Sequence, residues 1–474
     1  MNAVTYGLMQ SNPGEKGLLK EVDVPQSEAL RDDSAQHYLI QPLIPHYDSN
    51  PQFVNHNVGY PFESEKSLRI ALVTETWPPE INGVAHSVFH LATGLRDNGH
   101  SLFLIRPQQV LSTINSPAEQ ELLVRGFAIP RYRALQFGAP AYYHIKEALK
   151  SYQPDVVHIV TEGPLGLAAL FAARHLGIPV SSGFHSPFHE FSTHFGLGLL
   201  LTPIIAYLRF FHNRTDMTCV PSEKTRAQLQ TLGIRDLAVV SRGVNVAQFS
   251  PVHRDMALRQ SWGVSEHSTV LLYVGRLSPE KNIDLVIAAY RELQLAQPLR
   301  AVQLVLVGDG PDRARLEKLA PDAIFAGMQT GGALGQHYAS ADVFVFASQV
   351  ETFGNVVLEA MASGLPVLAF DDAAAGQVVE TDHTGWLCEL KNELKFTQLA
   401  GQLPKQNRLQ EMGKYACERV QAMGWQQAVG QLEEVLKHVK QQHGKRTHTA
   451  SSEDTLLDAG QTQTPQAIKQ EELS

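Results

Sequence analysis

Short runs of branched apolar residues alternate along this chain with segments whose apolar residues recur every three or four positions, the pattern of strands followed by amphipathic helices. Arg69-Ile-Ala-Leu-Val-Thr74 predicts a strand and Glu75 to Gly83 a loop. Val84, Val88, Leu91 and Leu95 then form one helical stripe, which ends at Gly99-His100 before a second strand at Ser101–Ile105. Strand, loop, helix and strand make one βαβ unit. The pattern continues with a strand at Val156–Val160, a helix over Gly166–Leu176, strands at Pro179–Ser182 and Thr218–Val220, and a helix over Lys224–Leu232.

A second series begins at Val270. Strands are predicted at Val270–Val274, Gln303–Val307, Ile324–Phe325, Val343–Phe346 and Pro366–Ala369, with helices over Ile283–Leu295, Asp312–Leu319, Leu334–Ser340 and Asn355–Ala362. Alternation at this spacing predicts doubly wound parallel sheets, so the fold class is α/β with two Rossmann-like domains. The predicted boundaries are an N-terminal domain over 66–245, a hinge near Gly243–Pro251 and a C-terminal domain over 246–424. An amphipathic helix over Trp425–Lys440 is expected to pack back across the hinge onto the first domain. Residues 1–65 are polar and broken by Pro13, Pro25, Pro42, Pro45, Pro51 and Pro61; they predict a partly disordered extension with short apolar patches such as Tyr38–Ile44. Residues 441–474 are rich in Gln, Thr, Ser and Glu and predict a disordered tail.

The apolar stretch Leu197–Phe211 is too short to span a bilayer and is interrupted by Thr202, Pro203 and Arg209. Ending in Arg209, His212 and Arg214, it fits either an internal helix of the first domain or a segment resting on a membrane surface. The first residues lack a basic region followed by an apolar run, so no signal peptide is expected. A length of 474 residues exceeds one core, in keeping with two domains. The net charge of -9 argues against nucleic acid as a partner and is concentrated in the flanks, with 3 basic and 9 acidic residues in 1–65. The near-neutral remainder is free to hold basic local sites. Three cysteines, Cys219, Cys388 and Cys417, form no C-x-x-C pair and suggest neither zinc nor a disulfide framework, which fits a reducing, cytoplasmic location.

Five segments carry chemistry. Glu351-Thr-Phe-Gly-Asn-Val-Val-Leu-Glu359 places one carboxylate on a strand-end loop and another about two turns into the following helix. The amides of Phe353, Gly354 and Asn355 open that helix, and such an end favours an anion. Val274-Gly-Arg-Leu-Ser-Pro-Glu-Lys-Asn282 sets Arg276 and Lys281 around a short loop after a strand. Two cations there suit a diphosphate, Arg as a planar fork and Lys as a point charge. Val307-Gly-Asp-Gly-Pro311 follows a further strand and taken alone marks a tight turn. Thr76–Gly83 opens the first helix, where Gly83 admits close backbone approach to a ligand. Gly183-Phe-His185 follows another strand. Taken singly, such residues are more often a solvated acid pair, a surface cation, a tight turn or a structural histidine.

Together with Ala360-Met-Ala-Ser-Gly-Leu-Pro-Val367, these segments resemble the retaining glycosyltransferases of the GT-B architecture, family 4, in the same order over roughly residues 68–440. The resemblance implies two domains facing across a cleft. It implies that Arg276 and Lys281 hold a donor diphosphate and neutralise it as it leaves, that Glu351 and His185 meet the transferring sugar, and that Glu359 meets the ribose. The donor site would also comprise Gly83, Gly275, Gly308, Gly310, Phe353, Gly354, Asn355 and Val356. Asn82, standing where the family often has a second glycine, is a candidate on the acceptor side. Arg131 and Arg133 either bind an anionic acceptor group or simply lie on the surface.

The implied reaction is transfer of a hexose, mannose from GDP-mannose in the first instance, to a lipid or glycan acceptor, with peripheral contact at the inner membrane face. A UDP-sugar-dependent diacylglycerol glycosyltransferase is the alternative. No Asp-x-Asp occurs, so no metal or other cofactor is expected. An NAD-dependent oxidoreductase also uses Rossmann-like units, but the first strand here runs into Thr-Glu-Thr-Trp-Pro-Pro and not a G-x-G-x-x-G turn. A non-catalytic nucleotide-sugar-binding relative would be expected to have lost Arg276, Lys281, Glu351 or Glu359, and all four are present.

Overall fold

A strand buried on both faces reads as a continuous apolar run, and the runs singled out above become the centres of two sheets. The computed structural model describes residues 51–55, 67–80, 82–109, 116–129, 132–185, 201–351 and 353–459. In the first half the strands are β1 (Gln52–Asn55), β2 (Arg69–Val73), β3 (Ser101–Pro107), β4 (Gln120–Val124), β5 (Gly126–Ile129), β6 (Tyr132–Gly138), β7 (Val156–Ile159), β8 (Val180–Gly183), β9 (Met217–Val220) and β10 (Leu237–Val239). Eight of them form a sheet in the order β1-β4-β3-β2-β7-β8-β9-β10, and β5 pairs with β6 as a separate hairpin. The second half contributes β11 (Thr269–Val274), β12 (Val302–Val307), β13 (Ile324–Gly327), β14 (Val343–Phe346), β15 (Val367–Phe370) and β16 (Gly385–Cys388), ordered β13-β12-β11-β14-β15-β16.

Every pairing in the second sheet is parallel, and so is every pairing in the first except β1 with β4. Both sheets therefore wind outward in two directions from a central strand, β2 in one and β11 in the other. The order of connection reverses between β2 and β7 and between β11 and β14. Loops leaving the carboxyl ends of adjacent strands at such a reversal diverge and open a crevice, which is where sheets of this kind bind ligands. The expected α/β architecture with two Rossmann-like domains is present. The two sheets and their helices belong to one compact unit.

The chain crosses between the domains twice, side by side. Val244 pairs with Gly424 in an isolated bridge, and a Cβ on Gly243 would lie 2.6 Å from the Trp425 backbone. The last helix, Trp425–Ala459, then returns to the first domain. Its Trp425, Ala428, Val429, Leu432, Leu436 and Val439 recur at helical spacing and bury against Val88, Leu91, Ala92 and Leu95 of the helix Gly83–Asp97.

Two flanking expectations need correction. Residues 52–55 of the expected extension form β1, which covers the edge of β4 and lays the still half-exposed Phe53 ring on Phe103 at 5.6 Å. The last helix does not stop at Lys440 but runs to Ala459, because a helix nucleated by packing propagates cheaply through a polar segment without proline. The remainder of the extension, including Tyr38–Ile44, and residues 460–474 lie outside the described residues. The apolar stretch beginning at Leu197 is described from residue 201, as the helix Leu201–His212. None of the described helices is long and apolar enough to cross a membrane.

Candidate active site

The loops after β11 and β14 flank the reversal point of the second sheet, and this brings two segments seventy residues apart into contact. Lys281, closing the turn Pro279–Lys281 after β11, forms an ion pair with Glu351 after β14; both side chains are mostly buried. A cation and a carboxylate proposed for neighbouring parts of one ligand thus meet in the crevice. Tyr273, fully buried near the end of β11, joins the group from below. Its hydroxyl donates to the Arg276 carbonyl at 2.9 Å. Burial, with the Glu351 and Glu280 carboxylates nearby, holds its pKa well above the ordinary tyrosine value.

The helix Asn355–Ala362 starts at Gly354, whose φ of 86° is left-handed and suited to glycine. Phe353 is buried with Phe344 and Phe346 and fixes this turn from the core side, so its ring is not offered to a ligand. Val356 is partly buried against the same cluster. Glu359 sits on the second turn, where the Tyr338 hydroxyl donates to Oε2 at 2.9 Å. Burial pushes the Glu359 pKa up to about 7, opposed only in part by that hydrogen bond.

The glycines after β12 serve loop-to-loop contact. A Cβ on Gly308 would stand 2.0 Å from the Gly275 carbonyl oxygen, and one on Gly310 would stand 2.3 Å from that of Leu277. Hydrogen bonds from Leu277 to Asp309 and from Asp312 to Leu277 close the seam at 2.9 and 3.0 Å. Gly275, Gly308 and Gly310 therefore set the backbone path that carries Arg276 to the crevice.

The first domain faces this group with its own helix start. Asn82 caps the helix Gly83–Asp97, its Oδ1 accepting from Val84 and Ala85 at 3.1 and 2.8 Å while Nδ2 donates to Thr76 at 2.7 Å. Both polar ends of Asn82 are thereby occupied, which accounts for asparagine where the family often has glycine. Beyond its chain neighbours and its own helix backbone, Gly83 has no atom of the described residues within 4 Å of where its Cβ would be. One turn on, Ser87 accepts from Asn355 Nδ2 of the opposite domain at 3.3 Å. Two helix N-termini, one from each domain, are thus brought together at the crevice.

His185 follows β8, with the Arg242 guanidinium on its Nδ1. Arg131 lies outside the described residues, and Arg133 falls within β6. Three residues not among the sequence-predicted site residues also make supporting contacts: Tyr273, inside a predicted strand, Tyr338, inside a predicted helix, and Glu75. Glu75 turns inward from the end of β2 and accepts from the Leu165 amide at 2.8 Å, capping the helix Pro164–His175. Burial raises its pKa to about 7, with Glu162 adding to the effect. Its signal in the sequence was only its place two residues beyond a buried strand.

Comparison with known proteins fits this geometry. Residues 81–248 match the family model described as Glycosyltransferase Family 4, and residues 255–419 match Glycosyl transferases group 1. A GDP-mannose-dependent alpha-mannosyltransferase of Mycobacterium tuberculosis is 33% identical over 396 residues, covering 81% of this chain and 99% of that protein. An alpha-monoglucosyldiacylglycerol synthase of Streptococcus pneumoniae is 31% identical over 64% of this chain and 71% of its own length. Among solved structures, sucrose-phosphate synthase from Thermosynechococcus elongatus superposes with a TM-score of 0.63 at 21% identity, over 78% of this chain and 99% of that one. The two-domain GT-B fold is shared.

Proposed function

The chain belongs to glycosyltransferase family 4, and we propose that it transfers mannose from GDP-mannose to a lipid or glycan acceptor, with retention of configuration and without a metal ion. Three relatives between 31% and 35% identical carry the name GDP-mannose-dependent alpha-mannosyltransferase, which favours this donor. The observation that carries the reading is the meeting of Lys281 with Glu351 at the reversal point of the second sheet, opposite the Gly83 helix start.

In this reading the donor's diphosphate takes Lys281 away from Glu351 and lies between Lys281, Arg276 and the amides that open the helix at Asn355. Glu351, released from the ion pair, accepts from hydroxyls of the sugar, and Glu359 accepts from those of the ribose. His185 reaches the sugar from the first domain. The acceptor hydroxyl attacks the anomeric carbon on the face the diphosphate is leaving. The bond to the diphosphate breaks with its electron pair, and the departing oxygen takes the acceptor's proton. Catalysis is positioning plus preorganised positive charge where negative charge develops.

We further propose contact with an anionic membrane surface on its cytoplasmic face. Exposed Phe171 and Phe210 pack edge to face at 6.4 Å, and the Arg214 guanidinium lies 3.7 Å from the Phe210 ring centre. Arg174, also exposed, donates to the Arg214 carbonyl at 2.6 Å, and Arg209 is exposed on the same helix as Phe210. Exposed aromatic rings with arginine beside them suit the boundary of headgroups and acyl chains. A diacylglycerol acceptor, the second reading, is favoured by the two monoglucosyldiacylglycerol synthase relatives.

Donor hydrolysis measured with GDP-mannose, UDP-glucose, UDP-galactose and UDP-GlcNAc, with and without lipid vesicles, tests these assignments. Preference for GDP-mannose is expected. Preference for UDP-glucose with diacylglycerol would replace the first reading by the second.

A further inference from the structure

Arg242, just before the domain crossing, has no role in the mechanism above, yet it is only 6% exposed. Its pKa is pushed down to about 10 by burial, and no carboxylate among the described residues contributes against that. A buried cation without an acidic partner is costly to a fold. Its hydrogen bond runs to Nδ1 of His185. A guanidinium has five N–H donors and no acceptor, so Nδ1 accepts and the imidazole proton resides on Nε2. Burial, then Arg242, then His158 and His212 hold the His185 pKa well below its ordinary value, so the ring is neutral.

Both sides of this contact are fixed. The backbone amide and hydroxyl of Ser241 each donate to Gln431 Oε1 of the returning helix at 2.8 Å, and the Val244 amide donates to the Met423 carbonyl at 2.9 Å. Nε2 of His185 lies over Gly183, where a Cβ would come within 2.4 Å, so the ring holds this pose only above a glycine.

We propose that Arg242 is the positioning residue for His185, holding its imidazole in the tautomer that presents Nε2–H as a donor at the end of β8 and tying that donor to the domain crossing. The proposal rests on the assignment of His185 to a sugar hydroxyl. It assigns Arg242, and Gly183 beneath the ring, to sugar orientation, distinct from the diphosphate group around Lys281.

The test is a double-mutant cycle on hydrolysis of GDP-mannose, or of whichever donor in the panel the wild type hydrolyses fastest, so that a wrong donor leaves the test intact. Arg242→Gln is expected to lower kcat about 10- to 100-fold, the range of one charge-assisted hydrogen bond, with KM changed far less. Arg242→Lys, which keeps a cationic donor, recovers part of the loss. His185→Ala causes a similar fall, and Arg242→Gln adds nothing to it. Gly183→Ala, which displaces the ring with Arg242 intact, reproduces the kcat loss and covers the case in which Arg242→Gln does not fold. Losses that multiply in the double variant, or full turnover in either His185→Ala or Gly183→Ala, would overturn the proposal.

Discussion

Replacing Glu359 by Gln should make the ligand-free protein more stable above neutral pH while weakening its hold on nucleotide. The Glu359 carboxyl has an ordinary value of 4.5 and is raised to about 7 by burial. Between those values the folded protein keeps a proton that the unfolded chain has lost. Stability therefore falls as pH rises from about 4.5 towards 7 and levels off above it. The gap corresponds to about 3 kcal/mol of stability, present near pH 5 and lost by pH 8. Glutamine carries no charge to desolvate, although its amide N–H groups bring a modest cost of their own. A net gain of about 2 kcal/mol at pH 8 would raise the melting temperature of the affected domain by roughly 4–8 °C. Near pH 5 the variant should melt at or slightly below the wild type. Glu75, raised to about 7 by the same cause, remains in the variant, so a shallower pH slope should persist. Thermal unfolding of both proteins from pH 5 to 8.5 reads this directly, and parallel curves at all pH values would refute the reasoning. The second arm is calorimetric. Ribose hydroxyls donating to an ionised Glu359 would lower its pKa, so GDP binding near pH 6.5 should release protons in the wild type and fewer in Glu359→Gln.

Lys281→Ala should reduce turnover about 10²- to 10³-fold, as loss of one preorganised charge does, and an unchanged rate would remove Lys281 from leaving-group stabilisation. Donor hydrolysis should be unaffected by EDTA; loss of turnover restored by a divalent cation would show that metal supplies charge assigned here to Arg276 and Lys281. Reversing Arg214 to Glu should lower binding to vesicles containing anionic lipid about tenfold and leave hydrolysis of soluble donor intact. Equal binding by both proteins would place the membrane contact elsewhere.

The sequence by itself determined the alternation of buried strands and helices, because parallel strands covered on both faces require unbroken apolar runs such as Val270–Val274. It also determined which loops carry charge, since Arg276, Lys281 and Glu351 sit immediately after those runs. Periodicity could not reach the element ends that depend on partners. β1 exists because β4 has an open edge, and the last helix continues past Lys440 because its first turns are anchored on Val88 and Leu91. The pairing of Lys281 with Glu351 was likewise a tertiary decision, made by the 3-2-1-4 winding that sets β14 beside β11. So were the roles of Tyr273, Tyr338 and Arg242. A hydroxyl or a guanidinium has no visible partner along the chain, and only burial beside a carbonyl, a carboxylate or an imidazole gives it one.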